Sequence, residues 1–518
     1  MEILKRNKLI LLSFLGGISY ALGFPIFNGY SLFLFPIIGF SLFCYALSQT
    51  DQVKMKLIYG LSYSVGFYAM GFYWIPHLLK EFGGLFFPFN FILGLVFALI
   101  IIPQVYVFSF IHGKLKNSIG LAFVYVLLEQ FIPQQFPAHI GHSFMSLAPK
   151  IHLVFAPLFG AAFYSFLTAL LGLSIVEHFC TKKAPRLNYS FLIIACLCHI
   201  SFFTNSQNKV DQTLSLRIVQ PNIGNFLKLE SERGGVNSLK QVYESYYFLS
   251  THNIESKRDL IIWPETAYPQ LFMSQFLKNK PEVRIPLLLS DIITQTNAEL
   301  FIGGYDSSMR NNSEQFQTDY NSAFHFSADG VLKNVYHKMK LIPFGEGLPF
   351  GPLNQLLSKY LTNISFFAEG ESYTTFQTAN GVPFVSVICY EVLFTRFVAD
   401  MLNNQSTEPR FLINLTNDSW YGETAEPHQH LFLTKWRSLE FNIPIVRSTN
   451  TGITTILYPD GSESKRLNVG EKTYLDVDLK LSPRTSTFFQ KFGLWGLVLV
   501  SLLLLGLDLL FKRKTFFK

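Results

Sequence analysis

From its first residue to about residue 205 the chain alternates long apolar stretches with short polar breaks, then turns mixed and polar, and becomes apolar again near its end. Runs at 9–25, 30–48, 57–75, 88–111, 119–133, 153–179, 190–204 and 492–511 each approach the ~20 apolar residues that cross a bilayer as a helix, the fifth and seventh being the shortest. Between 206 and 490 the period changes. Short β-rich runs at 215–223, 260–265, 300–306, 320–326, 382–390, 410–417 and 444–459 are separated by helical stretches that include 236–252 and 428–441. This is the alternation of an α/β domain, and the segment is long enough for one buried core. The pattern predicts a transmembrane helical domain over 1–205, a soluble domain over 206–490, and a final transmembrane helix with a basic tail over 491–518.

Charge orients these parts. Lys5, Arg6 and Lys8 precede the first run; Lys54 and Lys56 follow the second, and Lys114 and Lys116 the fourth. Lys182, Lys183 and Arg186 follow the sixth, and Lys512, Arg513 and Lys514 the eighth, whereas the intervening loops hold only Lys80, beside Glu81, and Lys150. Basic residues at every second loop predict about eight spans with both termini cytoplasmic and 206–490 outside the cytoplasm. The first run has the basic flank of a signal peptide, but GGISYALGFP offers no A-x-A-like cleavage site, so it reads as an uncleaved anchor. Only 15% of residues are charged, against about 25% in soluble proteins, and the mean hydropathy is +0.27. The net charge of +7 therefore reports membrane orientation and not a nucleic-acid partner, because the basic residues flank apolar runs instead of forming a patch.

Of the five cysteines, Cys44, Cys180, Cys196 and Cys198 lie in or beside apolar runs, and Cys389 alone lies in the polar half. No disulfide within that half can explain it. Cys389 closes the run VPFVSVIC, Glu265 closes LIIWPE, and Lys338 follows a hairpin-like stretch. A carboxylate can take a thiol proton, and an ammonium favours the thiolate and can hold a tetrahedral oxyanion. On spacing alone, a core cysteine remains the commoner reading. His428 and His430, at i and i+2 without a third ligand, are a weak metal signal. A Cys–His dyad stays open, beside helix-start or packing roles for both.

Local words carry more. IIWPETAYP (261–269), YHKMKLIPFGE (336–346), ICYE (388–391) and LTNDSWYG (415–422) followed by PHQH resemble the nitrilase, or carbon–nitrogen hydrolase, superfamily in content and order. With about eight predicted spans around that domain, the resemblance narrows to the apolipoprotein N-acyltransferase family. FGG at 82–84 and FPAHIGHS at 136–143 are similar to that family's loop segments. The resemblance implies an α-β-β-α sandwich over 206–490. It implies Glu265 as general base, Lys338 (with Lys340 its local competitor) as electrostatic stabiliser and Cys389 as nucleophile. Glu346, Tyr390, Glu391 and Trp420 would support the site or line a substrate groove, with no metal and no cofactor. The implied partners are a phospholipid acyl donor and a diacylated apolipoprotein acceptor, at a bacterial inner membrane with the catalytic domain periplasmic. The segments 347–353 and 362–370 would form a lid toward the bilayer. Leu229, Ala138 and His142 depart from the family's usual aromatic residues and put the grip on substrate in question. A membrane-tethered amidase with the same three residues and an inactive binding paralogue are the rival readings.

Overall fold

The computed structural model describes residues 2–26, 29–81, 84–101, 103–115, 117–132, 134, 136–201, 210–279, 285–307, 319–342, 345–347, 351, 353–358 and 366–516. The chain packs as two compact units: Met1–Ser206 with His428–Phe441 and Thr487–Lys518, and Gln207–Pro427 with Asn442–Ser486.

The first unit is helical. Glu2–Ala21, Phe35–Ser48, Val53–Gly71, Ser118–Phe131, Arg186–Ser201 and Trp495–Phe516 are helices at six of the apolar runs. The run at 88–111 is helical over Phe89–Ile101 and Pro103–Ile111. The run at 153–179 is a single turn, Ala156–Phe159, then Gly160 at φ +70°, then Ala161–Thr181. Among the described residues Ala161–Thr181 is the helix long and apolar enough to cross a membrane, while Phe35–Ser48, Ser118–Phe131 and Trp495–Leu510 are apolar but shorter. Among the described residues the structure thus shows a helical unit with one such helix, and the count of eight crossings rests on the hydropathy and charge pattern alone.

Helices Glu2–Ala21 and Val53–Gly71 meet backbone to backbone. A Cβ on Gly17 would lie 1.9 Å from the Tyr63 carbonyl oxygen, and one on Gly66 would lie 2.1 Å from that of Phe14. Small residues permit such approach where apolar helices have no hydrophobic drive to associate. Residues 428–441, which the sequence pattern puts in the soluble domain, pack in this unit as most of helix Glu426–Phe441. Their polar side chains reach chain ends that helices leave unpaired. Gln429 Nε2 donates to the carbonyls of Pro25 (3.1 Å) and Gly71 (2.9 Å), and Ala161 N donates to Glu440 Oε1 at 2.8 Å. Trp436 Nε1 donates to the His142 carbonyl at 3.1 Å. Ala138 and His142 are both buried here: the Ala138 carbonyl accepts from the Tyr20 hydroxyl, and the His142 ring stacks on His139 at 4.8 Å. His428 and His430 lie in the opening turns of the same helix.

The second unit carries twelve strands among its described residues. In chain order these are β1 Gln212–Gln220, β2 Leu260–Ile262, β3 Tyr268–Phe272, β4 Glu299–Ser307, β5 Asp319–Phe326 and β6 Leu332–His337. They continue as β7 Phe376–Gln377, β8 Pro383–Ile388, β9 Phe411–Thr416, β10 Ile445–Thr449, β11 Thr455–Leu457 and β12 Thr473–Leu481. One sheet runs β12-β1-β2-β4-β5-β6 with β3 beside β4; the other runs β11-β10-β9-β8-β7. Strands β1, β2 and β4 pair in parallel, as do β8, β9 and β10, and their near-continuous burial is that of sheets covered on both faces. Helices Val236–Thr251 and Leu287–Thr296 cover the first sheet through a core that includes Tyr246, Leu249, Trp263, Leu289 and Ile292. The sheets meet face to face where Phe301 of β4 packs on Phe384 of β8 and Phe376 of β7, ring centroids 5.3 and 5.0 Å apart. The result is a nitrilase-like layering of helices on two packed sheets.

Candidate active site

Strand ends converge on one site. Glu265 follows β2, Lys338 follows β6, Cys389 follows β8 and Asn417 follows β9, the end of an α/β sheet at which side chains project into a shared cleft. Two of the turns are strained. Thr266, directly after Glu265, has φ +48°, and Cys389 itself has φ +53°; for a non-glycine residue the left-handed region costs roughly 1–2 kcal/mol. From Cys389 the chain enters a short 3-10 turn, Cys389–Leu393.

Lys338 is the centre of the charge arrangement. Its ammonium is fully buried, 3.1 Å from Glu265 Oε1 and 2.8 Å from the Glu346 carboxylate. Asn321 bridges the same two carboxylates, donating from Nδ2 to Glu265 Oε1 at 2.8 Å and to Glu346 Oε1 at 2.9 Å. Glu265 Oε2 accepts from Asn417 N at 2.9 Å, and Glu346 Oε2 from Ile342 N at 3.0 Å. Burial pulls the Lys338 ammonium down, but Glu265, Glu346 and Cys389 outweigh it and hold it well above the usual lysine range. Burial and the Glu265 charge push the Cys389 thiol up, against the pull of Lys338. Both shifts favour a protonated thiol beside a charged lysine, and a thiol so held needs a base before it can act as a nucleophile.

Glu391 ties together the two backbones that carry Lys338 and Cys389. Its Oε1 accepts from Met339 N (2.7 Å) and Lys340 N (2.9 Å), its Oε2 from Ile388 N (2.8 Å), and both oxygens from the Tyr336 hydroxyl at 3.0 Å. Burial pushes its carboxyl up to about 7 from an ordinary 4.5, with the Ile388 N–H, the Lys338 charge and the remaining N–H donors pulling the other way. A carboxyl raised in the fold favours folding most below its unfolded value and loses that contribution as pH climbs through its folded value. Glu391→Gln, which keeps the shape but turns an NH₂ toward N–H donors, should cost about 1–3 kcal/mol at neutral pH. It should also flatten the pH dependence of stability between about 4.5 and 7; thermal unfolding at several pH values reads both effects.

Gly303 on β4 lets the Glu265 turn sit down. A Cβ there would lie 2.3 Å from the Pro264 carbonyl oxygen and 2.7 Å from Glu265 Cα. Both are backbone atoms with no side chain to swing aside, so Gly303→Ala should displace the carboxylate and destabilise by about 1–3 kcal/mol. Activity should fall more than melting temperature does, since a misplaced base is felt in the rate.

The structure brings Glu265, Lys338, Glu346, Cys389 and Glu391 together. Tyr390 is buried with its ring edge-on to Phe394 at 4.9 Å, and Trp420 is half-buried in the turn after β9. Leu229 lies on helix Asn225–Glu232, 39% exposed. Residues 82–83 of the FGG word, 348–350 and 352 of the first expected lid segment, and 362–365 of the second lie outside the described residues. From that second segment, Phe367 N donates to the Glu346 carbonyl and Gly370 N to the Lys338 carbonyl. Sequence reasoning missed Asn321, Asn414, Asn417, Asp418 and Arg447. The readable signal was a polar residue at a buried position of a β-rich run, as in YNSAFHF, RFLINLTN and PIVRSTN.

Residues 215–487 match the carbon–nitrogen hydrolase family, and residues 16–174 match the apolipoprotein N-acyltransferase N-terminal domain. The chain is 29% identical to an apolipoprotein N-acyltransferase of Bdellovibrio bacteriovorus over 89% of its own length and 87% of that protein's. It is 28% identical to one of Rickettsia prowazekii over 95% of its length and 96% of the relative's. Among solved structures, a mutant amidase of the nitrilase superfamily from Nesterenkonia AN1 aligns with 53% of this chain and 94% of its own at 16% identity and a TM-score of 0.36. Saccharomyces cerevisiae Nit3 aligns over 53% and 93%, at 15% identity and a TM-score of 0.35.

Proposed function

The chain belongs to the carbon–nitrogen hydrolase family, and on that premise we propose that it transfers an acyl chain from a membrane phospholipid to the N-terminal α-amino group of a diacylglyceryl-cysteine lipoprotein. Its likeness to apolipoprotein N-acyltransferases along nearly the whole chain makes it an acyltransferase. The observation that carries the finer reading is the buried Lys338 held between Glu265 and Glu346 beside Cys389 in its left-handed turn.

In the first half-reaction the Cys389 sulfur attacks the acyl ester carbonyl while Glu265 takes the thiol proton. The tetrahedral oxyanion is held by the Lys338 ammonium, which stays charged throughout. Collapse breaks the ester C–O bond, the proton passes from Glu265 to the leaving oxygen, and a lysophospholipid departs, leaving a thioester. In the second half-reaction the lipoprotein amine attacks the thioester, Glu265 takes the amine proton, and the C–S bond breaks to restore the thiol and give the amide. Splitting the transfer at a thioester turns an ester into an activated donor for an amine. Glu346 and Asn321 fix the lysine and the base.

Both substrates are lipid-anchored, which supports a multi-pass protein of the bacterial inner membrane with about eight spans, the catalytic segment 206–490 periplasmic and both termini cytoplasmic. The alternation of basic loops supports that orientation.

Purified full-length protein incubated with acyl-labelled phospholipid should give an alkali-labile acyl-enzyme, discharged by a diacylated lipopeptide to an N-acylated product. No acyl-enzyme at all, or one that only water discharges, would refute the transferase.

A further inference from the structure

Arg447, on β10, reaches both halves of the site without belonging to any of the recognised words. Its side chain is fully buried and forks: Nη1 donates to Asn414 Oδ1 at 2.8 Å, and Nη2 donates to Asp418 Oδ2 at 2.9 Å. Asn414, also fully buried, donates from Nδ2 to the Cys389 carbonyl at 3.0 Å. A side-chain amide has one accepting and one donating end. With the guanidinium on its oxygen, Asn414 can turn only its NH₂ toward Cys389. The second arm of the fork holds Asp418, the residue after Asn417, whose N–H donates to Glu265 Oε2.

We propose that Arg447 is a positioning residue: it sets the orientation of Asn414 and so holds the Cys389 backbone in the left-handed turn that presents the thiol to Glu265 and Lys338. The proposal rests on the reading of Cys389 as nucleophile. Without the guanidinium, the Asn414 amide is free to turn away from the Cys389 carbonyl, and a φ that a non-glycine residue adopts only at a cost loses one of its restraints, Glu391 still holding Ile388 N. A buried ion pair that serves the fold alone would lower the melting temperature and leave the thiol as it was.

The test uses full-length protein in detergent with Cys44, Cys180, Cys196 and Cys198 replaced by serine, so that iodoacetamide reports on Cys389. Arg447→Lys keeps a positive charge beside Asp418 but cannot fork. It should slow alkylation about tenfold or more and lower kcat for acyl transfer comparably, with KM for phospholipid within about twofold. Asn414→Asp keeps an acceptor for the guanidinium, removes the donor to Cys389, and should reproduce the slowing. The double variant should be no slower than the slower single one, because both break the same strut. Alkylation at the parental rate in a well-folded Arg447→Lys, or a double variant that multiplies the two losses, overturns the proposal. Should Arg447→Lys not assemble, Asn414→Asp decides alone: slowed alkylation at an unchanged melting temperature supports the strut, and unchanged alkylation removes it. Alkylation needs no acyl donor, so this outcome is independent of the substrate. Transfer that survives Cys389→Ala would overturn the nucleophile reading instead.

Discussion

Cys389→Ala should abolish the acyl-enzyme and lower N-acylation of a diacylated lipopeptide by at least ~10⁴-fold, with the fold intact. The size of the effect follows from the site's resting state. Burial and Glu265 push the Cys389 thiol up, so on the proposed mechanism the thiolate forms only as the sulfur attacks, with the paired Glu265 and Lys338 as its partners. Nothing else in the second unit can stand in, since Cys389 is its sole cysteine. Alanine tolerates the same backbone about as well as cysteine, so melting should move little. Cys389→Ser is the sharper control: an oxyester that forms slowly and discharges slowly would show that geometry survives while nucleophilicity is lost. Gel-shift or mass detection of the acyl adduct beside single-turnover transfer separates these outcomes.

Lys338→Met should be the more damaging change to the protein itself. The ammonium is the countercharge to the buried Glu265 and the partly buried Glu346, which share the Asn321 amide. Removing it leaves Glu265 and Glu346 facing each other without compensation, a loss of about 3–5 kcal/mol for breaking a buried pair. Loss of the oxyanion partner should add a fall in kcat of at least ~10²–10³-fold. The pH dependence has a definite sign. In the native protein the raised Lys338 keeps its full stabilising contribution below the ordinary lysine value and gives it up only as pH rises through its folded value. In Lys338→Met a proton shared into the pair relieves the repulsion between the two carboxylates, and acid supplies it. The variant should then be most stable in mild acid and lose stability as pH rises past the ordinary glutamate range. Melting curves from pH 4.5 to 8 check this: a flat difference between variant and parent would mean that the two carboxylates do not sense each other.

Much of the second unit was legible because a strand buried on both faces is a continuous apolar run, and the residue that ends it is polar. LIIWPE, VPFVSVIC and RFLINLTN show this directly, and each delivers its terminal group to the site. β12 was not legible. Its alternation in TYLDVDLKL is that of a half-covered strand, and only its nine-residue antiparallel pairing with β1 makes it part of the sheet. The helical unit shows the opposite limit. Apolar runs told where helices form but not where they stop, since Gly160 ends a helical turn that a hydropathy average carries through.

By itself the sequence determined the family and the candidates for its chemistry: a lone polar-half cysteine, a carboxylate and a lysine at strand ends. Those choices are local and are written in residue type. Only the tertiary structure decided how the groups are held. Asn321 spans two carboxylates from a neighbouring strand, Glu391 clasps the backbones at 339–340 and 388, and Arg447 orients Asn414 against Cys389 across strands far apart in the chain. Residues 428–441, polar enough to read as soluble, pack instead in the helical unit, because Gln429 and Glu440 meet backbone groups that helix ends leave open. A hydrogen bond depends on what the fold brings within about 3 Å, and no one-dimensional pattern carries that distance.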